Sequence, residues 1–313
     1  MAASGLLEPI LVTGGTGMVG QNLREHPALS GARLLMPGRA ELDLRDAAAV
    51  RAYMQLHRPA TVIHAAGKVG GIQANMRDPA GFLIENLDLG RNVITAAVEA
   101  GASVVLNLAS SCIYPRDRTT LLREEDLLTG PLEPTNEGYA LAKIAVLKLA
   151  AYLDAASEAT SLKSVIPCNL FGRHDNFKPA SSHLLPAIIQ KVHGAIQTGA
   201  ESVEIWGDGT ARREFLFATD FADAVVHCLQ NFDAMPDLMN IGLGFDYSIN
   251  EYYQTVADVL GYSGGFHHDL DRPVGMARKV VDVSRLDAMG WKPRHDLKQA
   301  VGLTYEFFLR SAV

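Results

Sequence analysis

The sequence predicts an α/β protein: a Rossmann-type, doubly wound parallel sheet with a smaller C-terminal α/β lobe that binds substrate. Three observations predict it. Short apolar runs alternate with helical stretches from the start of the chain, the pattern of parallel strands covered by helices on both faces. The first run feeds into Gly14-Gly15-Thr16-Gly17-Met18-Val19-Gly20, a glycine-rich turn that opens a helix. Further on, Tyr139-Ala140-Leu141-Ala142-Lys143 sets a phenol and an amine one helical turn apart on one face.

Residues 9–13 form a short apolar strand ending at glycines, and 18–26 read as the helix after it. The second strand is expected at 33–36 and the second helix at 46–57. Residues 61–64 are apolar and β-branched, and 79–100 is a long helical pattern closed by Gly101. Another buried strand spans 103–108, a helix 137–156 and a strand 164–167. Beyond Pro167 the rhythm loosens. Residues 170–182, rich in Gly, Asn, Pro and Ser, read as a loop, with a helix over 183–197 behind it. Later strands fall near 203–205, 238–241 and 265–267. The expected division is a cofactor domain of residues 1–168 plus about 214–243, and a substrate lobe of about 169–213 and 244–313. No internal repeat, low-complexity tract or linker interrupts the chain.

The 313 residues suit one large or two interdependent domains. They carry 28 Lys and Arg against 35 Asp and Glu, a net charge of −7. That disfavours broad binding to nucleic acid and leaves room for a local basic cluster on an anionic small substrate. No run approaches ~20 apolar residues, so no membrane span is expected. The first nine residues lack the basic and apolar regions of a signal peptide. Three widely spaced cysteines, Cys112, Cys168 and Cys228, argue against a disulfide framework or zinc site and fit a reducing cytosol.

Gly14, Gly17 and Gly20 permit a tight turn and let a dinucleotide pyrophosphate approach backbone N–H groups at a helix N-terminus. After the second strand, Pro37-Gly38-Arg39 brings a guanidinium to where the adenosine ribose lies. No acidic residue closes that strand, as an NAD 2′-hydroxyl would favour, so Arg39 points to NADP. Otherwise Arg39 is a solvated loop residue.

A free phenol titrates near ~10, and a neighbouring ammonium favours its ionised form. Tyr139 with Lys143 therefore suits acid–base work on an alcohol or ketone oxygen, which the Ser110 hydroxyl can hold. Cys112 is surplus to hydride transfer. A thiol two residues past that serine suits an enzyme that also moves protons on carbon; it would equally serve as a small buried apolar side chain. Cys168 and Cys228 read as core. His183, near a helix start behind the loop, is the second proton-transfer candidate.

These residues resemble the GDP-L-fucose synthase family, extended short-chain dehydrogenases/reductases that are both epimerase and reductase. The likeness covers nearly the whole chain. It rests on Ala66-Gly67-Lys68-Val69-Gly70-Gly71-Ile72, Ser110-Ser111-Cys112-Ile113-Tyr114-Pro115 and Glu133-Pro134-Thr135-Asn136-Glu137. Gly172-Arg173-His174-Asp175-Asn176-Phe177, Ser182-His183, Trp206-Gly207-Asp208-Gly209 and Arg213-Glu214-Phe215 extend it. The resemblance implies that Ser110, Tyr139 and Lys143 carry the reduction, with Tyr139 protonating the oxygen at sugar carbon 4. It implies that Cys112 and His183 exchange protons at carbons 3 and 5. Besides the glycine turn, Arg39, Tyr139 and Lys143, it places Leu42, Ala65, Ala66, Pro167, Asn169, Leu170 and His183 around NADP. Ser111, Asn169, Lys191, Trp206, Arg213 and Val274 would meet the GDP-sugar. Without it, Trp206 would read as core and Lys191 as a solvated helix face.

The chain departs from the family pattern at several positions. Thr16 and Pro37 stand where basic residues are common, so Arg39 would have to compensate. Val274 replaces an aspartate that contacts substrate, and Arg173 replaces a proline. Val274 keeps open a related sugar such as a GDP-heptose, or one of the two activities alone. A non-catalytic NADP sensor is disfavoured because Ser110, Tyr139 and Lys143 are all present. The family also implies a homodimer built from helices 79–100 and 137–156, with Leu83, Leu87, Leu147 and Leu149 as surplus apolar positions. Core packing explains those leucines as well.

Overall fold

The computed structural model describes residues 5–178, 182–272 and 276–311. In chain order its elements are β1 (Ile10–Thr13), α1 (Met18–Arg24), β2 (Leu34–Leu35), α2 (Ala47–His57), β3 (Thr61–His64), α3 (Ile72–Arg77), α4 (Pro79–Glu99), β4 (Val104–Leu108), α5 (Glu137–Ala156) and β5 (Ser161–Pro167). There follow β6 (Asn169–Phe171), α6 (Leu184–Thr198), β7 (Ser202–Trp206), β8 (Arg212–Arg213), β9 (Phe215–Phe217), α7 (Ala218–Gln230) and β10 (Leu238–Ile241). The last are β11 (Tyr247–Ser248), α8 (Ile249–Leu260), β12 (Gly265–Asp269), β13 (Arg278–Lys279), α9 (Ser284–Ala288) and α10 (Leu297–Ser311).

The doubly wound sheet is present. Six strands run in the order β2-β1-β3-β4-β5-β10, all parallel. The register sets Ile10 beside Thr61 and Thr61 beside Val104, so the strands start level. Alternation along each strand sends side chains to opposite faces. Ile10, Val12, Ile63, Leu106 and Leu108 bury on one face; Leu11, Val62, Val105 and Leu162 bury on the other. The strand order reverses between β1 and β3, which opens a crevice at their carboxyl ends.

A smaller apolar cluster joins α6, β7, α8 and α10 through Leu185, Ile189, Ile205, Tyr252, Val256 and Phe308. Short pairs complete that half: β7 with β12, β6 with β9, and β8 between β11 and β13. The stretch expected to be loop from residue 170 thus begins as a strand, because β6 finds a parallel partner in β9.

Helix ends differ from expectation for local reasons. Asp46 lies outside α2 because its carboxylate caps the amides of Ala48 and Ala49. His183 likewise stands just outside α6, as its N-cap. No helix among the described residues is long and apolar enough to cross a membrane.

Candidate active site

The glycine turn is shaped by close approach. Gly14 adopts φ 71°, and a Cβ there would lie 2.9 Å from the Ala66 Cα. A Cβ at Gly20 would lie 2.5 Å from the Gly14 carbonyl oxygen, so only glycine lets α1 pack against the turn. No side chain caps Gly17, and the first turn of α1 carries no carboxylate. Helix α1 thus brings no carboxylate of its own to the amides of Thr16, Met18 and Val19, which fits a pyrophosphate there. Ala65 and Ala66 follow β3, and the Ala66 amide donates to Thr13 Oγ1 at 3.2 Å.

Arg39 is exposed, 3.9 Å from Glu85, in the loop where a Cβ on Gly38 would lie 4.0 Å from Thr16. Leu42 buries its side chain with Leu11 and Val50 under the sheet, which leaves only its backbone to face the crevice.

Ser110, Cys112, Tyr139 and Lys143 converge where β4 meets α5. Ser110 caps the single 3-10 turn Ser111–Ile113, its Oγ 3.5 Å from the Cys112 amide. Lys143 Nζ donates to the Leu108 carbonyl at 3.0 Å and lies 5.9 Å from the centre of the Tyr139 ring. Burial, then the nearby Cys112, pushes the Tyr139 hydroxyl far above its ordinary range, with Ser110 pulling the other way. The phenol is thus held protonated, as a proton donor. Burial brings Lys143 down to about 8, with Cys112 opposing.

Cys112 is only 7% exposed and belongs to the main core as well as to this cluster. Burial pushes its thiol up, while Lys279, Ser110 and Lys143 pull it down. Ser111 is buried. Pro167 is buried at the end of β5; Asn169 and Leu170 lie in β6, and Asn169 Nδ2 donates to the Glu214 carbonyl at 2.9 Å.

His183 is open to solvent, yet enough protein surrounds the ring to lower its pKa. Its neighbour Ser182 approaches Gly71, where a Cβ would lie 3.9 Å from the Ser182 carbonyl. The start of α6 therefore abuts the segment after β3. Asn86 and Asn75 hold that segment by hydrogen bonds to Lys68, Gly70 and Gly71.

Trp206 is 41% exposed, so core packing does not account for it. Lys191 Nζ lies 5.4 Å and Arg272 Cζ 5.0 Å from its ring centre, and its Nε1 donates to Glu204 at 2.6 Å. An indole flanked by two cations is a surface for a base and its phosphates. Arg213, on β8, is largely enclosed, and burial lowers its pKa. Val274 lies outside the described residues.

Several residues at this centre were given no role of their own by the sequence. His64 is fully buried, brought down to about 3 by burial and the charge of Lys143, and its Nδ1 lies 2.9 Å from Thr13 Oγ1. It is a neutral spacer. Glu214, raised to about 7 by burial, accepts from the amides of Leu243, Gly244 and Val281. Lys279 on β13 stands in register beside Arg213 on β8. Its Ala-Arg-Lys context reads as ordinary solvated surface.

A parallel doubly wound sheet with a glycine turn and a Ser/Tyr/Lys cluster beyond the strand ends defines a dinucleotide-dependent enzyme class. The chain belongs to the NAD dependent epimerase/dehydratase family, whose model matches residues 10–242. It is 48% identical to GDP-L-fucose synthase of Azorhizobium caulinodans, over 96% of each chain. It is 46% identical to GDP-L-colitose synthase of Yersinia pseudotuberculosis, over 96% of this chain and 97% of that one. Among solved structures, a GDP-L-fucose synthetase from Naegleria fowleri bound to NADP is 28% identical, with a TM-score of 0.88 over 97% of this chain and 93% of that one.

Proposed function

We propose that this protein converts GDP-4-keto-6-deoxy-D-mannose to GDP-L-fucose, by epimerisation at carbons 3 and 5 and reduction at carbon 4. The observation that carries the reading is Cys112 beside Ser110, Tyr139 and Lys143: a thiol inside a site otherwise complete for reduction. The relatives named GDP-L-fucose synthase support it.

The 4-keto group acidifies the hydrogens on both neighbouring carbons. Cys112 and His183 exchange these protons, one as base and one as acid, and delivery to the opposite face inverts each centre. Ser110 holds the carbonyl oxygen, Tyr139 protonates it, and the Lys143 ammonium steadies the phenolate that remains. The glycine turn, with Arg39 on the adenosine ribose side, would hold NADPH, which would supply the hydride. Asn169, Pro167 and Leu170 would border nicotinamide and sugar. Trp206 and Lys191 would meet the nucleotide, Arg213 the diphosphate, and Ser111 and Val274 the sugar side. The split into a cofactor domain (1–168 and about 214–243) and a substrate lobe belongs to this proposal.

The protein acts as a homodimer in the cytoplasm. Exposed Ile84 on α4 with Leu141 and Tyr152 on α5 supports the first, three free cysteines the second. The Yersinia relative's name favours one second reading, a GDP-linked keto-deoxy sugar other than the fucose precursor. Incubation of GDP-4-keto-6-deoxy-D-mannose with enzyme and NADPH distinguishes them. GDP-L-fucose formed in step with NADPH loss is expected. An unconsumed substrate rejects the first reading.

A further inference from the structure

Strand β7 sends Val203 and Ile205 into the second apolar cluster, so alternation turns Ser202, Glu204 and Trp206 outward together. Its parallel partner β12 sets His267 beside Glu204 and Asp269 beside Trp206. One outward face of this pair thus carries an exposed indole and a row of polar groups. Lys191 from α6 and Arg272 border the indole, at 5.4 and 5.0 Å from its centre.

Most acceptors on this face are already engaged. Ser202 Oγ and His267 Nδ1 bond each other at 2.8 Å. Asp269 accepts from the Arg272 guanidinium at 3.1 Å on one oxygen and from the Asp271 amide at 3.2 Å on the other. Glu204 differs. Its backbone carbonyl accepts from Lys191 Nζ at 3.1 Å and from the Tyr253 hydroxyl at 3.3 Å, which fixes the residue on its strand. Its Oε1 accepts from the indole N–H at 2.6 Å, and its Oε2 takes no hydrogen bond among the described residues. A carboxylate offers about four lone-pair sites, so most of the capacity of this one stays open at the edge of the indole.

We propose that Glu204 reads the base of the nucleotide, by accepting hydrogen bonds from the N1–H and the exocyclic amine of guanine. This rests on the GDP-sugar reading of the site and names what selects its nucleotide. A base lying against Trp206 brings its edge to the carboxylate. Guanine sets two donors side by side on that edge, which a carboxylate matches with two charge-assisted bonds. Adenine sets a ring acceptor beside its one amine, and uracil a single N–H between two carbonyls, so each turns lone pairs on the carboxylate. Lys191 Nζ, 3.9 Å from the same carboxylate, stands ready for the guanine O6. The bond to the indole also holds the carboxylate in place before the base arrives, which lowers the cost of binding.

Calorimetric binding of free nucleoside diphosphates to the full-length protein, with NADP saturating the cofactor site, tests this without turnover. The unaltered protein is expected to bind GDP roughly tenfold or more tighter than inosine diphosphate, which lacks the exocyclic amine, and tighter still than ADP. Glu204→Gln keeps an oxygen for the indole N–H and turns an NH2 group toward the two guanine donors. It should weaken GDP by roughly tenfold or more and leave ADP within about twofold. Equal weakening of GDP and ADP overturns the proposal, since Glu204 would then only hold Trp206 in place. So does a GDP affinity that the substitution leaves unchanged, or equal binding of GDP and inosine diphosphate by the unaltered protein. NADP affinity reports whether Glu204→Gln folds; if it does not, the ranking in the unaltered protein decides. An unaltered protein that binds UDP and not GDP overturns the GDP-sugar reading itself, whereas GDP bound with Glu204 indifferent to the base overturns this proposal alone.

Discussion

Lys143 must stay charged to favour the Tyr139 phenolate, yet burial brings it down to about 8 from 10.5. The reduction rate is therefore expected to fall as pH rises through about 8, where the ammonium loses its proton. A rate of NADPH oxidation that stays flat up to the ~10.4 of a free lysine would contradict this assignment. Between those values the folded protein binds fewer protons than the unfolded chain, so the contribution of Lys143 to stability rises with pH over that window. Cys112→Ser removes the thiol and keeps a small polar side chain. Deuterium exchange into the sugar should drop by ~100-fold or more, while reduction of an already epimerised ketone continues. Tyr139, Lys143 and Ser110 could be read from the sequence because one helical turn and one strand end fix their relation. Lys279 could not, since a two-residue strand has no periodicity and its partner lies far away in the chain. Glu214 sits inside a motif that reads as substrate contact, but its carboxylate stitches three backbone amides together.

At the level of elements, the long helices and the sheet strands were legible from apolar period and glycine punctuation. The two-residue strands β8, β11 and β13 were not, and β6 was hidden in a Gly- and Asn-rich stretch whose strand character comes from its partner β9. The loop after β6 is fastened to the cofactor helix. The Arg173 carbonyl accepts from Asn22 at 3.0 Å, and Glu25 pairs with both Arg173 and His174. Arg173 thus ties the loop down by an ion pair. Within that loop, burial raises Asp175 to about 7, and its Oδ2 is buried without a hydrogen bond. A carboxyl raised in this way favours the folded state in its neutral form, so its contribution falls as pH rises from about 4 through about 7. Asp175→Asn keeps the acceptor for the Asn176 amide. It should raise Tm above pH 7 by a few degrees and leave it nearly unchanged near pH 4. An equal rise at both pH values would show that titration is not the cause.

At the scale of the whole molecule, the parallel sheet repeats a widespread plan, and our proposal assigns the substrate specificity to the second half. Helices α4 and α5 pack closely side by side, Gly90 leaving room for Val146, where a Cβ would lie 2.4 Å from its Cγ2. Their outer face presents Ile84 at 59%, Leu141 at 42% and Tyr152 at 71% exposure. Of the four leucines expected there, Leu147 is core and Leu87 packs under the sheet, as the core-packing reading has it, while Leu83 and Leu149 are half-buried. Leu141→Asp is expected to give a monomer by light scattering that still binds NADPH. A dimer retained in this variant would place the contact elsewhere.

The central claim is that one site both exchanges protons at carbon and reduces a ketone. Proton NMR of GDP-4-keto-6-deoxy-D-mannose with enzyme and NADPH in heavy water tests it most directly. The account predicts GDP-L-fucose deuterated at carbons 3 and 5, with one NADPH consumed for each product formed. NADPH loss without deuterium at either carbon would contradict it, leaving a plain reductase in which Cys112 and His183 have no chemical part.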